Sequence, residues 1–106
     1  MKVLFDQGTP APLRRTLVGH SVETAYERSW SSLQNGELIA AAVSAGFDVF
    51  VTTDKNLKYQ QNLATRTLSI VVLLNTSWPR IQRSLPAVLA AVASAVPGGY
   101  VEVRIE

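Results

Sequence analysis

The chain reads as an α/β protein on a central, mostly parallel sheet of about four to five strands, with helices on both faces in three layers. Three observations predict it. Short apolar runs at 3–5, 47–52 and 68–74 alternate with segments of helical periodicity. The breaks between them are brief and marked by Gly, Pro, Asn or Asp. At 47% hydrophobic and 17% charged over 106 residues, the composition suits one core, hence a single domain over 1–106. Strands and helices that alternate on such short connections join as parallel neighbours through right-handed crossovers.

Taken in order, Val3-Leu4-Phe5 is a buried strand that stops at the turn Asp6-Gln7-Gly8-Thr9-Pro10. Pro10 and Pro12 open a helix with Leu13, Leu17 and Val18 on its inner face and Arg14 and Arg15 outside. Gly19-His20 ends it, and Ser21 to Ala25 alternates as a second strand. Tyr26 to Ser32, around Trp30, fits one helical turn. Asn35 is a good N-cap for a helix over Glu37–Ala45, whose stripe Leu38, Ala41, Ala42 and Ala45 closes at Gly46.

Phe47 to Thr52 has the β-branched and aromatic density of a central strand, and Thr53-Asp54-Lys55-Asn56 starts a helix through about Gln61. Leu68 to Leu74 is the most apolar strand. Trp78-Pro79 and Ser84-Leu85-Pro86 begin a short and a longer helix. Pro97-Gly98-Gly99 then turns the chain into Tyr100 to Ile105, which alternates as an edge strand.

Ten Lys and Arg against eight Asp and Glu leave a net charge of +2, which permits contact with a polyanion without requiring it. The absence of cysteine excludes disulfides, thiol nucleophiles and thiolate zinc sites, and one histidine excludes a multi-histidine zinc site. It also suits a reducing cytoplasm. The N-terminus has no signal-like apolar segment, and the Ala/Val-rich stretch near 86–96 is too short and interrupted to span a bilayer, so no membrane association is expected.

The chemistry concentrates in three carboxylates. Asp6 and Asp54 each follow an apolar strand, and Glu37 falls in the first turn of a helix. In open α/β sheets, ligands bind beyond the carboxyl ends of the strands, where strand order reverses. Carboxylates gathered there repel one another unless a cation holds them, and Mg²⁺ takes oxygen ligands of this kind. Each acid also has an ordinary role: Asp6 as a turn residue, Asp54 as an N-cap, and Glu37 as an anion at the positive end of a helix dipole. Thr9 and Thr53 are placed to orient a carboxylate or bind a phosphate, or simply to serve a turn. His20, at a helix end without a Ser or Asp partner, reads as a turn residue. Trp30 and Trp78 read as packing residues, with Trp30 near enough to the Glu37 loop to stack on a base.

Leu4-Phe5-Asp6, Asn35-Gly36-Glu37-Leu38 and Val51-Thr52-Thr53-Asp54-Lys55-Asn56-Leu57 together resemble PIN-like domains, in particular short bacterial PIN-like proteins related to VapC-type toxins. The likeness spans residues 1 to about 75. It implies a Mg²⁺- or Mn²⁺-dependent nuclease, an endoribonuclease acting on RNA, and the toxin of a toxin–antitoxin pair with a cognate antitoxin. A homodimer is also common in that family. By this resemblance Asp6, Glu37 and Asp54 are the catalytic, metal-holding acids. From their positions beside that cluster, Thr53, Lys55, Arg14 and Arg15, with Lys58 one turn beyond, are candidates to contact substrate phosphates, the alternative for each cation being a solvated helix face, and Asn56 is a candidate to offer a neutral oxygen or orient a water. The sequence departs from the family at Gln7, where relatives often have a second acid, and at Asn56, where they often have an Asp.

Those departures support a second reading, a non-catalytic PIN-like binding module that uses protein contacts, for which Leu85 to Val96 offers an apolar helix face. A signalling receiver domain is the third. It wants paired acids at the first site and a Lys after the last strand, whereas Gln7 stands at the first and no Lys follows 101–105.

Overall fold

The structure, a computed structural model, describes residues 1–33, 35–55 and 67–105. Five strands, β1 (Lys2–Phe5), β2 (Ser21–Thr24), β3 (Val49–Thr52), β4 (Ser69–Leu73) and β5 (Tyr100–Val103), form one sheet. Its order is β2-β1-β3-β4-β5 and every pairing is parallel. The helices are α1 (Asn35–Ser44), α2 (Trp78–Arg83) and α3 (Leu85–Ala93), with a 3-10 helix at Ala11–Thr16.

Strand alternation divides the core in two. Val3, Phe5, Val49, Val51, Val71 and Leu73 face the 3-10 helix, α2 and α3, and bury Leu13, Leu17, Ile81, Val88 and Val92 against themselves. Leu4, Phe50, Ile70 and Val72 face the other way onto Leu38, Ile39 and Ala42 of α1 and onto Phe47. Helices therefore cover both faces of a fully parallel sheet, the arrangement that lets its strands be apolar on both sides. Each of the large side chains in β3 and β4 removes about 1.5–3 kcal/mol worth of apolar surface from water.

The segment after Pro10 differs from the expected helix. Pro12 has no N–H to donate, the turn closes by Leu13 N–H to the Pro10 carbonyl at 3.2 Å, and the element is a six-residue 3-10 helix. Its tighter winding buries Leu13 and Leu17 but leaves Val18 86% exposed, so Val18 is not an inner-face residue. In α1 the buried positions are Leu38, Ile39 and Ala42, with Ala41 half-buried; the expected Ala45 falls just past the helix end and is half-buried too. Gly46, at φ +80°, supplies the left-handed residue that ends it. The capping side chain of Asn35 and the helix expected through Gln61, with Asn56 and Lys58, lie outside the described residues.

Uniform right-handed crossovers are not realised. The steps β1→β2 and β4→β5 run toward opposite edges of the sheet, yet their connecting helices share one face, where α2 packs on the 3-10 helix. Two such connections are of opposite hand. The step β2→β3, carried by α1 on the other face, shares its hand with β1→β2. On that face Ile81, Val88 and Val92 of α2 and α3 pack in one layer with Val71, Leu73 and Val103 and with Leu13 and Leu17 of the 3-10 segment.

Among the described residues no helix is long and apolar enough to cross a membrane.

Candidate functional site

The strand order reverses at β1. The chain steps from β1 outward to β2, then returns across it to β3. The carboxyl ends of β1 and β3 therefore flank the crevice where parallel α/β sheets bind ligands. Phe5 pairs with Val51, which sets Asp6 beside Thr52 just past the strand ends.

Asp6 is the hub of this edge. Its Oδ1 accepts the Thr9 N–H at 3.0 Å and the Thr9 hydroxyl at 2.8 Å, and its Oδ2 accepts the Thr52 hydroxyl. Thr9 Oγ1 also lies 2.9 Å from the Val51 carbonyl, so its single proton is shared between two acceptors. Thr52 Oγ1 in turn accepts the Asp54 N–H at 3.1 Å. One buried threonine hydroxyl thus joins the Asp6 carboxylate to the backbone of Asp54 across neighbouring strands. Gly8 permits the close approach: a Cβ there would stand 2.5 Å from Thr53 Oγ1.

Two clefts open from Asp6 and Gln7. One, about 140 Å³, lies between the Asp6–Gly8 turn, the loop of Trp30, Ser31 and Leu33, and Leu38 of α1. The other, about 310 Å³ and mostly apolar, is walled by Thr9, Ala11, Thr24 and the exposed Tyr26. Gln7 lines both.

The remaining candidates are placed as follows. Glu37 is exposed in the first turn of α1, one residue before the cleft-lining Leu38. Asp54 is half-buried, and Lys55 beside it is exposed. Arg15 is exposed on the 3-10 helix. Arg14 is committed elsewhere: Nη1 is 3.0 Å from Glu27 Oε2, and Nη2 donates to the Val22 carbonyl at 2.7 Å. The guanidinium, with the Thr24 N–H that Glu27 also accepts, holds the Glu27 carboxyl below the usual glutamate range. Trp30 packs edge-on against Phe47, ring centroids 6.2 Å apart, and Arg28 lies over both rings while pairing with Glu23 at 2.8 Å.

The acids and carbonyls at this edge are hard oxygen donors, the chemistry that suits Mg²⁺ or Mn²⁺ rather than a soft metal. Among the described residues, however, no three His, Asp or Glu side chains come together as a cation site. Asp6 and Asp54 occupy adjacent strand ends, and Glu37 stands on α1.

The sequence marks Thr52, Gly8 and Tyr26 as strand and turn residues, not as parts of the site. A threonine inside a β-branched strand looks like ordinary strand filler. The detectable signal was its position: the last strand residue, two before Asp54 and adjacent in register to the acid after β1.

Compared with family models, curated proteins and solved structures, the chain has no match in any of the three.

Proposed function

We propose that the chain is a divalent-cation-dependent phosphodiester hydrolase of PIN-like type, an endoribonuclease acting from the carboxyl edge of β1 and β3. The observation that carries this reading is the Asp6–Thr52–Asp54 linkage at the topological switch point, with Asp6 lining two clefts. Thr9 and Thr52 fix the Asp6 carboxylate in one orientation, so its remaining lone pairs face a defined direction. Asp54 follows just past the neighbouring strand, and Glu37, on α1, is the third acid of this reading. Bound Mg²⁺ or Mn²⁺ would lower the pKa of the attacking water and offset charge developing on the phosphate. Exposed Lys55 and Arg15 suit neighbouring phosphates of an RNA strand. Thr53, beside Gly8, has a hydroxyl to offer a phosphate, and Asn56 belongs to the same reading. A cytoplasmic toxin with a cognate antitoxin is the biological setting it implies.

A second reading has its own support. Both oxygens of Asp6 already accept protein donors, and among the described residues no acidic trio is assembled, which favours a non-catalytic binding module. A panel of structured RNAs incubated with Mg²⁺, Mn²⁺ or EDTA separates the two. The nuclease reading expects cleavage only with metal and none by Asp6→Asn. Equal cutting by both proteins, or no cutting by either, rejects it.

A further inference from the structure

At the carboxyl edge the neighbouring strand ends stand in the order β2, β1, β3. Asp6 and Asp54 follow β1 and β3, and the side toward β2 is built differently. Thr24 pairs with Phe5, and the Ala25 N–H donates to the Phe5 carbonyl at 2.9 Å, so the turn after β2 begins beside Asp6. That turn presents Tyr26 with 78% of its surface exposed.

The turn itself is firmly tied. Trp30 N–H donates to the Ala25 carbonyl at 2.8 Å, Ser29 N–H to the Tyr26 carbonyl at 3.0 Å and Arg28 N–H to the Thr24 carbonyl at 3.2 Å. Glu27, paired with Arg14, accepts the Thr24 N–H and gives its own N–H to the Thr24 hydroxyl. The backbone under Tyr26 is therefore set before any ligand arrives, which lowers the ordering cost of binding.

A single exposed aromatic is ordinary on a protein surface. Tyr26 differs because it walls the mostly apolar cleft of about 310 Å³ that Asp6 also lines. That volume stands at the small end of the ~300–1,000 Å³ typical of ligand pockets, which suits one flat group. No ring or cation among the described residues packs on the Tyr26 ring. Trp30, at the other end of the same turn, is already engaged: half-buried, it packs against Phe47 and under Arg28. Gln7 adds to the cleft an exposed amide that both donates and accepts. A planar group with apolar faces and hydrogen-bonding edges, carried next to a phosphate, fits such a slot. Bases inside an RNA duplex keep their faces stacked, so only an unpaired base can enter.

We infer, resting on the nuclease reading above, that this cleft takes one unpaired nucleobase of a single-stranded RNA, stacked on Tyr26 beside the phosphate at Asp6. Tyr26 is then a substrate-positioning residue, Gln7 meets the edge of the base, and the substrate is single-stranded at the cut.

Fluorescence anisotropy of a short labelled oligoadenylate tests it, read in EDTA so that no strand is cut, with circular dichroism confirming that each variant is folded. Wild type should bind the single strand, and bind its duplex with oligouridylate more weakly. Tyr26→Ala should weaken single-strand binding on the order of tenfold, Tyr26→Phe should bind as wild type does, and Tyr26→Leu should be as weak as Tyr26→Ala. A ribose-phosphate strand without bases should bind wild type and Tyr26→Ala alike. A wild type that does not bind, or a Tyr26→Ala protein that binds as tightly, would overturn the stacking role. So would a Tyr26→Leu protein that matches wild type, which would make the cleft a seat for an apolar peptide side chain. The two readings fail separately. Metal-dependent cleavage lost in Asp6→Asn, with KM unchanged in Tyr26→Ala, would sink the stacking platform alone, whereas Tyr26-dependent binding with no cleavage in any metal would sink the nuclease alone.

Discussion

Asp48 and Asp6 stand at opposite ends of the same sheet and show how differently one residue type can be used. At the amino end, Asp48 Oδ2 accepts the Lys2 N–H at 2.8 Å, its own N–H goes to the Lys2 carbonyl, and its carbonyl takes Ser69 N–H. Lys2 is spent there too, its Nζ on the Ala45 carbonyl at 2.8 Å and over the Phe47 ring at 4.5 Å. That end is a brace that registers three strands and seals the last turn of α1. At the carboxyl end, Asp6 is gripped by Thr9 and Thr52 but borders both clefts. A carboxylate that is held and also lines a cleft can meet a ligand in a fixed orientation. The braced one is not.

The contrast can be broken by substitution, with the largest effect expected at the cleft. Asp6→Asn keeps the shape of the turn but removes the charge, and metal-dependent RNA cleavage should fall on the order of a hundredfold or more. Full activity in that variant would dissolve the distinction between the two ends. Thr52→Val comes next. It strips a donor from Asp6 and an acceptor from the Asp54 N–H inside a buried strand, and should cost about 1–3 kcal/mol in urea unfolding. Asp48→Ala removes one partly solvated hydrogen bond and should cost about 0.5–1.5 kcal/mol without touching activity.

The smallest effect belongs to Glu27. Its folded pKa is lowered by Arg14, then by the Thr24 N–H, so the stabilisation is full above the ordinary glutamate range and fades as pH falls through the lowered value. Glu27→Gln should flatten only that acidic limb of the stability profile. An equal loss at neutral and acidic pH would show that the pair acts through packing instead.

Much of the frame was legible in the residues. Val3-Leu4-Phe5 and Ser69 to Leu73 are apolar on both faces because both faces are covered, and a run without alternation announces that. Pro79 and Pro86 marked the starts of α2 and α3 because a residue without an N–H costs nothing in a first helical turn. The site was legible only as separate acids beyond strand ends. The link between two of them runs through Thr52, whose partner is set by the pairing of β1 with β3, and no local pattern carries that register. The hand of the last crossover was hidden for a similar reason. It is set by which face α2 and α3 take beside the 3-10 helix, a long-range choice that the apolar spacing of neither segment reveals.

The proposed function has the carboxyl ends of β1 and β3, with the start of α1, receive a divalent cation. Titrating Mn²⁺ into the isotopically labelled protein and following amide signals by NMR tests it most directly. The account predicts that paramagnetic broadening centres on residues 6–9, 52–54 and 36–38, that Mg²⁺ competes it away, and that Asp6→Asn abolishes it. Broadening centred on the Lys2–Asp48 end, or none at this edge, would contradict the account.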